Sequence, residues 1–258
     1  MVAEKVAPKK PIGALVLHGF TSNFNCVDGV LPRLEKHGLP YRMPALRGHQ
    51  TQAVDLRGVV WHDWLDDGER ALVDLLQEVE QVVIVSLSMG SLVGIELAIK
   101  YPQQVAGLVC IAPALKAYGP NSRVASLLAK VLKNYKFKPA ADHWCEPKLY
   151  WERNKNYMAV PTMAIVEFLR FTEHVRPSQK LQQISVPLLV IETKRDKVVY
   201  ASESERLYNT VSSVSKQLKW FEKSGHEMLL DCEAEQVLDE IETFVVEQIK
   251  LKEQAIIK

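Results

Sequence analysis

Residues 82–102, VVIVSLSMGSLVGIELAIKYP, pass from strand to helix with almost nothing between them. Val82–Val85 is a β-branched apolar run, and a helical pattern follows from Met89 until Pro102 stops it. An apolar strand feeding directly into an apolar helix suits a parallel sheet covered on both faces. The centre, Ser86-Leu87-Ser88-Met89-Gly90, approaches a Gly-x-Ser-x-Gly turn, with serine in place of the first glycine. Such a turn lifts a serine hydroxyl out of the sheet and sets it at a helix N-terminus, where the next backbone N–H faces it. Strand and helix pass close two residues either side, so those flanks need small side chains. Ser88 has Ser86 and Gly90 as flanks; Ser86 would have Ile84, and Ser91 would have Met89 and Val93. Ser88 is therefore the candidate nucleophile. The plainer alternative is a polar turn with a helix N-cap.

The same alternation runs along most of the chain. Strands are predicted at 12–19, 41–46, 81–86, 105–114, 186–193 and 216–222, and helices at 26–38, 61–79, 89–101, 201–211 and 233–250. Residues 115–185 break the rhythm. RVASLLAKVLKNYKF and VPTMAIVEFLRFTEHV both read as helices, with no clear buried strand between them. The expected organisation is a core in two parts, 1–114 and 186–258, interrupted by a mainly helical insertion at 115–185.

A serine hydroxyl needs a base, usually a histidine held by a carboxylate. His226 lies in a Ser-Gly-His turn just after one predicted strand, and Asp196 lies just beyond another. Functional loops of a parallel sheet gather at such carboxyl ends. Asp231 is a rival carboxylate, but it follows the histidine and breaks the order Ser88, Asp196, His226. For the oxyanion, Gly19 lets the chain turn after the first strand, which brings the Phe20 N–H toward Ser88; the Met89 N–H is the second donor.

Composition excludes several classes. The net charge is +1, without the basic surplus or stripe of a nucleic-acid binder. No run reaches the length of a membrane span, and MVAEKVAPKKPIG has no apolar leader pattern. Cys26, Cys110, Cys145 and Cys232 show no zinc spacing and read as reduced thiols of a cytoplasmic protein. No metal or organic cofactor is expected.

Taken together, VLHGFTSN, ALRGHQ, VSLSMGSLVGIELA, ETKRDKVV and SGHEMLLD resemble the α/β-hydrolase superfamily, and more narrowly compact bacterial carboxylesterases and monoacylglycerol lipases. The resemblance spans residues 12–249. It implies a mostly parallel sheet with helices on both faces and a small helical cap. It also implies a serine ester hydrolase with Ser88 as nucleophile, Asp196 as orienting acid, His226 as base, and the Phe20 and Met89 amides as oxyanion hole. The implied partner is a small-molecule acyl ester. An antiparallel hairpin typical of the family before the first of these segments has only about a dozen residues here, and is expected to be short or absent. Two departures stand out: Ser86 at the first elbow glycine, and Gln50 where relatives commonly carry glycine. Arg47 and His49 are expected to be structural.

Leu127, Leu128, Val131 and Leu132 in one part of the insertion, and Met158, Met163, Ile165, Phe168 and Leu169 in another, could form an apolar wall over an acyl chain. Two other readings stand beside the esterase. A serine aminopeptidase on the same fold would use cap acids such as Glu146, Glu152, Glu167 and Glu173 to bind an amine. A non-catalytic ligand-binding homologue would draw its support from Ser86.

Overall fold

In β-structure successive side chains face opposite sides, and the central strands here are apolar on both. The computed structural model describes residues 9–257 and sets these strands side by side. In chain order the elements are β1 (Lys10–Leu17), α1 (Leu31–Lys36), β2 (Tyr41–Arg42), α2 (Trp61–Leu75), β3 (Val79–Leu87), α3 (Met89–Lys100) and β4 (Val105–Ile111). Then come α4 (Ser122–Ala129), β5 (Asn134–Lys136), α5 (Pro147–Arg153), β6 (Ala159–Pro161), α6 (Thr162–Val175) and α7 (Ser178–Leu181). The chain closes with β7 (Leu188–Thr193), α8 (Ser202–Thr210), β8 (Lys216–Phe221) and α9 (Ala234–Ile257).

Six strands form one sheet in the order β2-β1-β3-β4-β7-β8, every neighbouring pair parallel. Val82 and Ile84 of β3 face a core made with α2, α3 and α6, including Trp64, Leu92 and Phe171. Val83, Val85 and Leu87 face the other way, onto Leu34 of α1 and Val237, Ile241 and Phe244 of α9. Each such side chain contributes about 1.5–3 kcal/mol by leaving water. The mostly parallel, two-face-covered sheet is the one expected. Among the described residues no antiparallel strand joins it; the rest of the expected N-terminal hairpin region, residues 1–8, lies outside them.

Three local expectations need correction. Residues 26–38 are not one helix: two 3₁₀ turns, Phe24–Cys26 and Asp28–Val30, precede the short α1, whose entry carries Pro32 at the position where its missing N–H costs nothing. The 123–137 stretch is helical only to Ala129. Beyond it β5 pairs antiparallel with β6, with Tyr135 opposite Val160. Finally, Cys145 and Cys232 are not free thiols but a disulfide, with Cα atoms 6.0 Å apart. Cys26 and Cys110 are free and buried. No helix among the described residues is long and apolar enough to cross a membrane.

Candidate active site

Ser88 sits between β3 and α3 with φ 54° and ψ −114°, a conformation side chains rarely adopt. Such strain costs about 1–3 kcal/mol and needs surrounding structure to hold it. The turn is held: Ser88 N–H donates to Ile111 O at 2.9 Å, while Ser88 O accepts from Ser91 N–H at 3.1 Å and Ala114 N–H at 3.2 Å. Gly90 allows the tight entry, since a Cβ there would lie 2.5 Å from Leu17 O and 2.7 Å from His18 O.

Ser86 occupies the missing-glycine position without disturbing this turn. Its hydroxyl donates to Val109 O at 2.6 Å on β4, and the Ser91 hydroxyl donates to Ser86 O at 3.1 Å. Room for it comes from Gly94 on α3, where a Cβ would lie 3.2 Å from Ser86 Oγ.

The structure brings the three residues read from chain order into one hydrogen-bonded line. Ser88 Oγ lies 2.9 Å from His226 Nε2, and His226 Nδ1 lies 2.6 Å from Asp196 Oδ2. With Nδ1–H donating to the carboxylate, Nε2 is free to accept the serine proton. The other Asp196 oxygen accepts the Val198 and Val199 N–H groups at 2.7 and 2.8 Å, which fixes the carboxylate. Burial by itself would push the His226 imidazole down. The charge and hydrogen bond of Asp196 outweigh it and raise the pKa to about 9.

Gly19 abuts the nucleophile, since a Cβ there would lie 3.3 Å from Ser88 Cβ. This places Phe20 beside Ser88, with its ring stacked on Phe168 of α6 at 4.9 Å between centroids. Met89 begins α3 immediately after Ser88. Two buried histidines hold the Phe20 loop. His18 Nε2 accepts from Leu46 N–H at 3.2 Å and its Nδ1 faces Gly19 O at 2.9 Å. His49 Nε2 accepts from Thr21 N–H at 3.0 Å, and its Nδ1 faces Leu46 O at 3.0 Å. Burial, with the His49 charge second, lowers His18 to about 3, and burial lowers His49 to about 4, so both rings are neutral acceptors at physiological pH. Gln50 has φ 63°, the left-handed region that favours glycine, and its Oε1 accepts the Phe24 N–H at 3.2 Å.

Two acids near the site escaped sequence reasoning. Glu192, next to last in β7, is fully buried, with Ser204 Oγ donating to it at 2.7 Å and Thr193 N–H at 2.8 Å. Burial, and then the neighbouring Asp196 charge, push its carboxyl up to about 8, so it is mostly protonated at neutral pH. A lone acid at the end of an apolar strand run was the available signal. Asp231, weighed only as a rival partner for the histidine, accepts three backbone N–H groups instead. These are Gly225 at 2.7 Å, Cys232 at 2.8 Å and Cys145 at 3.0 Å. It thereby ties the His226 loop to the 115–185 segment beside the disulfide.

A cavity of about 400 Å³ opens over Ser88 and His226. Leu128, Leu132, Met158, Ile165, Phe168 and Leu169 line it, as read from sequence, whereas Leu127, Val131 and Met163 do not. Tyr118, Phe137, Trp144, Tyr150 and Tyr157 complete the apolar wall. Glu227 is its only acid among the described residues, and the Asn156 amide donates to it at 2.7 Å. The chemistry this arrangement permits is transfer of the serine proton to a histidine beneath an apolar chamber.

A family model described as serine aminopeptidase, S33, matches residues 9–233. A thermostable monoacylglycerol lipase from a Bacillus sp. is 24% identical over 242 residues, covering 90% of each chain. The carboxylesterase of Bacillus subtilis is 24% identical over 251 residues, covering 93% of this chain and 98% of its own. Among solved structures, one described with the metagenome-derived lipolytic enzymes LipS and LipT superposes with a TM-score of 0.82 at 23% identity. It covers 93% of this chain and 96% of that one. The monoacylglycerol lipase of Paleococcus ferrophilus gives 0.73 at 18% identity, with the same coverage.

Proposed function

Since this chain belongs to the family described as serine aminopeptidase, S33, and is an esterase- and lipase-like α/β-hydrolase, we propose that it cleaves carboxylic esters through Ser88, His226 and Asp196. The observation that carries this reading is the line from Ser88 Oγ to His226 at 2.9 Å and from His226 to Asp196 at 2.6 Å, opening into an apolar cavity. His226 takes the Ser88 proton as the hydroxyl attacks the ester carbonyl. The Phe20 and Met89 amides receive the oxyanion. His226 then protonates the leaving alcohol, and water activated by the same ring releases the acid. Residues 115–185 act as the cap that shapes the acyl site, and the described parts of residues 1–114 and 186–258 form the core.

The apolar wall supports an acyl chain as the bound group. The family description keeps an aminopeptidase in view, and Glu227 does line the cavity, but the cap acids read from sequence for binding an amine are engaged elsewhere. Glu173 accepts from Ser122 N–H and Oγ at 2.8 and 2.5 Å, Glu167 pairs with Arg170 at 2.5 Å, and Glu152 lies 3.4 Å from Lys148. None of these, nor Glu146, lines the cavity, whereas Lys138 and Lys197 do. Monoacylglycerols fit as substrates with one long acyl chain. The Cys145–Cys232 bond counts against a cytoplasmic setting, because such bonds persist under oxidising conditions. Parallel assays on p-nitrophenyl esters, monoacylglycerols and aminoacyl-naphthylamides test the proposal. Ester turnover lost in Ser88→Ala supports it, and a clear preference for the amide overturns it.

A further inference from the structure

Asp196 and His226 belong to separate loops, one after β7 and one after β8. The two strands run in register to their last residues, with Thr193 opposite Phe221, and Lys194 N–H donates to Phe221 O at 3.0 Å. Beyond that point, among the described residues, no backbone hydrogen bond joins residues 195–199 to residues 222–226. Yet these loops present a carboxylate oxygen and a ring nitrogen 2.6 Å apart. Side chains must set the spacing.

Besides the Asp196–His226 bond itself, three polar side-chain contacts cross the gap among the described residues. Lys194 pairs with Glu222 at 2.8 Å, and Arg195 Nη1 donates to Lys223 O at 2.9 Å, both at the exposed surface. Water competes for both, and exposed ion pairs are worth little. The third contact is out of water. Thr193 Oγ1 donates to Ser224 O at 2.6 Å and accepts Arg195 N–H at 3.2 Å, and Thr193 and Ser224 are both fully buried. Breaking a buried bond strands a polar group, so this one keeps its partners. One hydroxyl thus holds a backbone group one residue before Asp196 and another two residues before His226. Ser224 is fixed on its far side as well, its N–H donating to Glu233 at 2.7 Å and its Oγ accepting Glu233 N–H at 3.2 Å.

We propose, on the esterase reading of the site, that Thr193 is a positioning residue: its hydroxyl sets the spacing of the two loops so that His226 Nδ1 meets Asp196 Oδ2. Thr193 does not line the cavity, so it takes no part in binding substrate. Burial lowers the His226 pKa, and the acids that raise it are Asp196 first, then Glu227 and Glu192. Thr193→Val removes none of these charges. A fall in the pH inflection of that variant therefore reports a looser Asp196–His226 bond.

The test is steady-state kinetics on a water-soluble acetate ester across pH. Thr193→Val keeps the shape of the side chain and loses its hydroxyl. Its kcat falls about tenfold, less than the about hundredfold that a 1 Å misplacement can cost, while KM stays as in the parent. Its pH inflection moves below the parent's, and Thr193→Ser restores both. Arg195→Ala, which cuts only the exposed bond to Lys223 O, keeps the parent kcat. In an Asp196→Asn background Thr193→Val costs nothing further, since the bond it positions is already gone. Thr193→Ala removes the same hydroxyl and carries the same expectation if the valine variant does not fold. With an active parent, three results overturn the proposal alone: hydroxyl-free variants that keep their kcat or their inflection, an equal loss in Arg195→Ala, or an undiminished loss in the Asp196→Asn background. A parent without ester turnover overturns the esterase reading, and the proposal with it.

Discussion

Asp196 and Asp231 are both buried carboxylates serving the His226 loop, and exchanging each for asparagine separates their duties. Asp231 holds three backbone N–H groups within 3.0 Å and does not touch the imidazole ring. An asparagine in its place would keep one accepting oxygen and turn an NH₂ toward donors. About two charge-assisted hydrogen bonds are lost, each worth roughly 1.5–3 kcal/mol. Asp231→Asn is therefore expected to cost about 3–6 kcal/mol, a large part of a typical stability of about 5–15 kcal/mol. Urea unfolding followed by tryptophan fluorescence reads this as a lower midpoint with an unchanged slope. Below the transition the variant keeps ester hydrolysis within an order of magnitude. Asp196→Asn does the opposite. It leaves His226 without its orienting charge, and a drop in kcat of about 10⁴-fold follows by analogy with other triads, with a smaller change in midpoint. Loss of turnover in Asp231→Asn with normal unfolding, or an active Asp196→Asn, would refute this division of duties.

Three further outcomes follow from the geometry. Because His226 must be neutral to accept the Ser88 proton and its pKa is raised to about 9, kcat/KM rises with pH through an inflection well above 6.5. Asp196→Asn lowers that inflection, and an inflection below 6.5 in the parent refutes the assignment. The same raised pKa adds stability in full below about 6.5, lost as pH rises through about 9. At the elbow, Ser86→Ala loses one hydrogen bond to Val109 O, about 1 kcal/mol, and keeps most activity. Gly90→Ala forces a Cβ to within 2.5 Å of Leu17 O and inactivates the enzyme, as ester assays on both variants will register. Reducing the Cys145–Cys232 bond, which joins residues 87 apart in sequence, frees the loop it closes in the unfolded state and lowers stability by about 4.6 kcal/mol. Thermal melts with and without dithiothreitol measure this, with Cys145→Ser/Cys232→Ser as the insensitive control.

What could be read before folding followed from local physics. The apolar strand runs prescribed a parallel sheet, and the size rule at the turn singled out Ser88 from Ser86 and Ser91. Strand ends marked the Asp196 and His226 loops. What escaped depends on residues that meet only in three dimensions. Nothing near Cys145 signals Cys232, which comes beside it because the 115–185 segment folds onto the His226 loop. Asp231 looked like a misplaced partner because its donors are backbone N–H groups, which leave no trace in sequence. The helical reading of 123–137 failed after Ala129 because pairing with Val160 and Pro161 overrode local propensity. Gln50 looked like a departure from glycine, yet it takes the left-handed conformation and uses its side chain to anchor the neighbouring loop.

The central claim is that Ser88 is a nucleophile activated by His226. Incubation with a fluorophosphonate, followed by intact-mass and peptide mass spectrometry, measures it directly. One adduct on the Ser88 peptide is expected, absent from Ser88→Ala, slowed strongly in His226→Ala and retained in Ser86→Ala. No adduct on the folded protein, or one that survives Ser88→Ala, would contradict it.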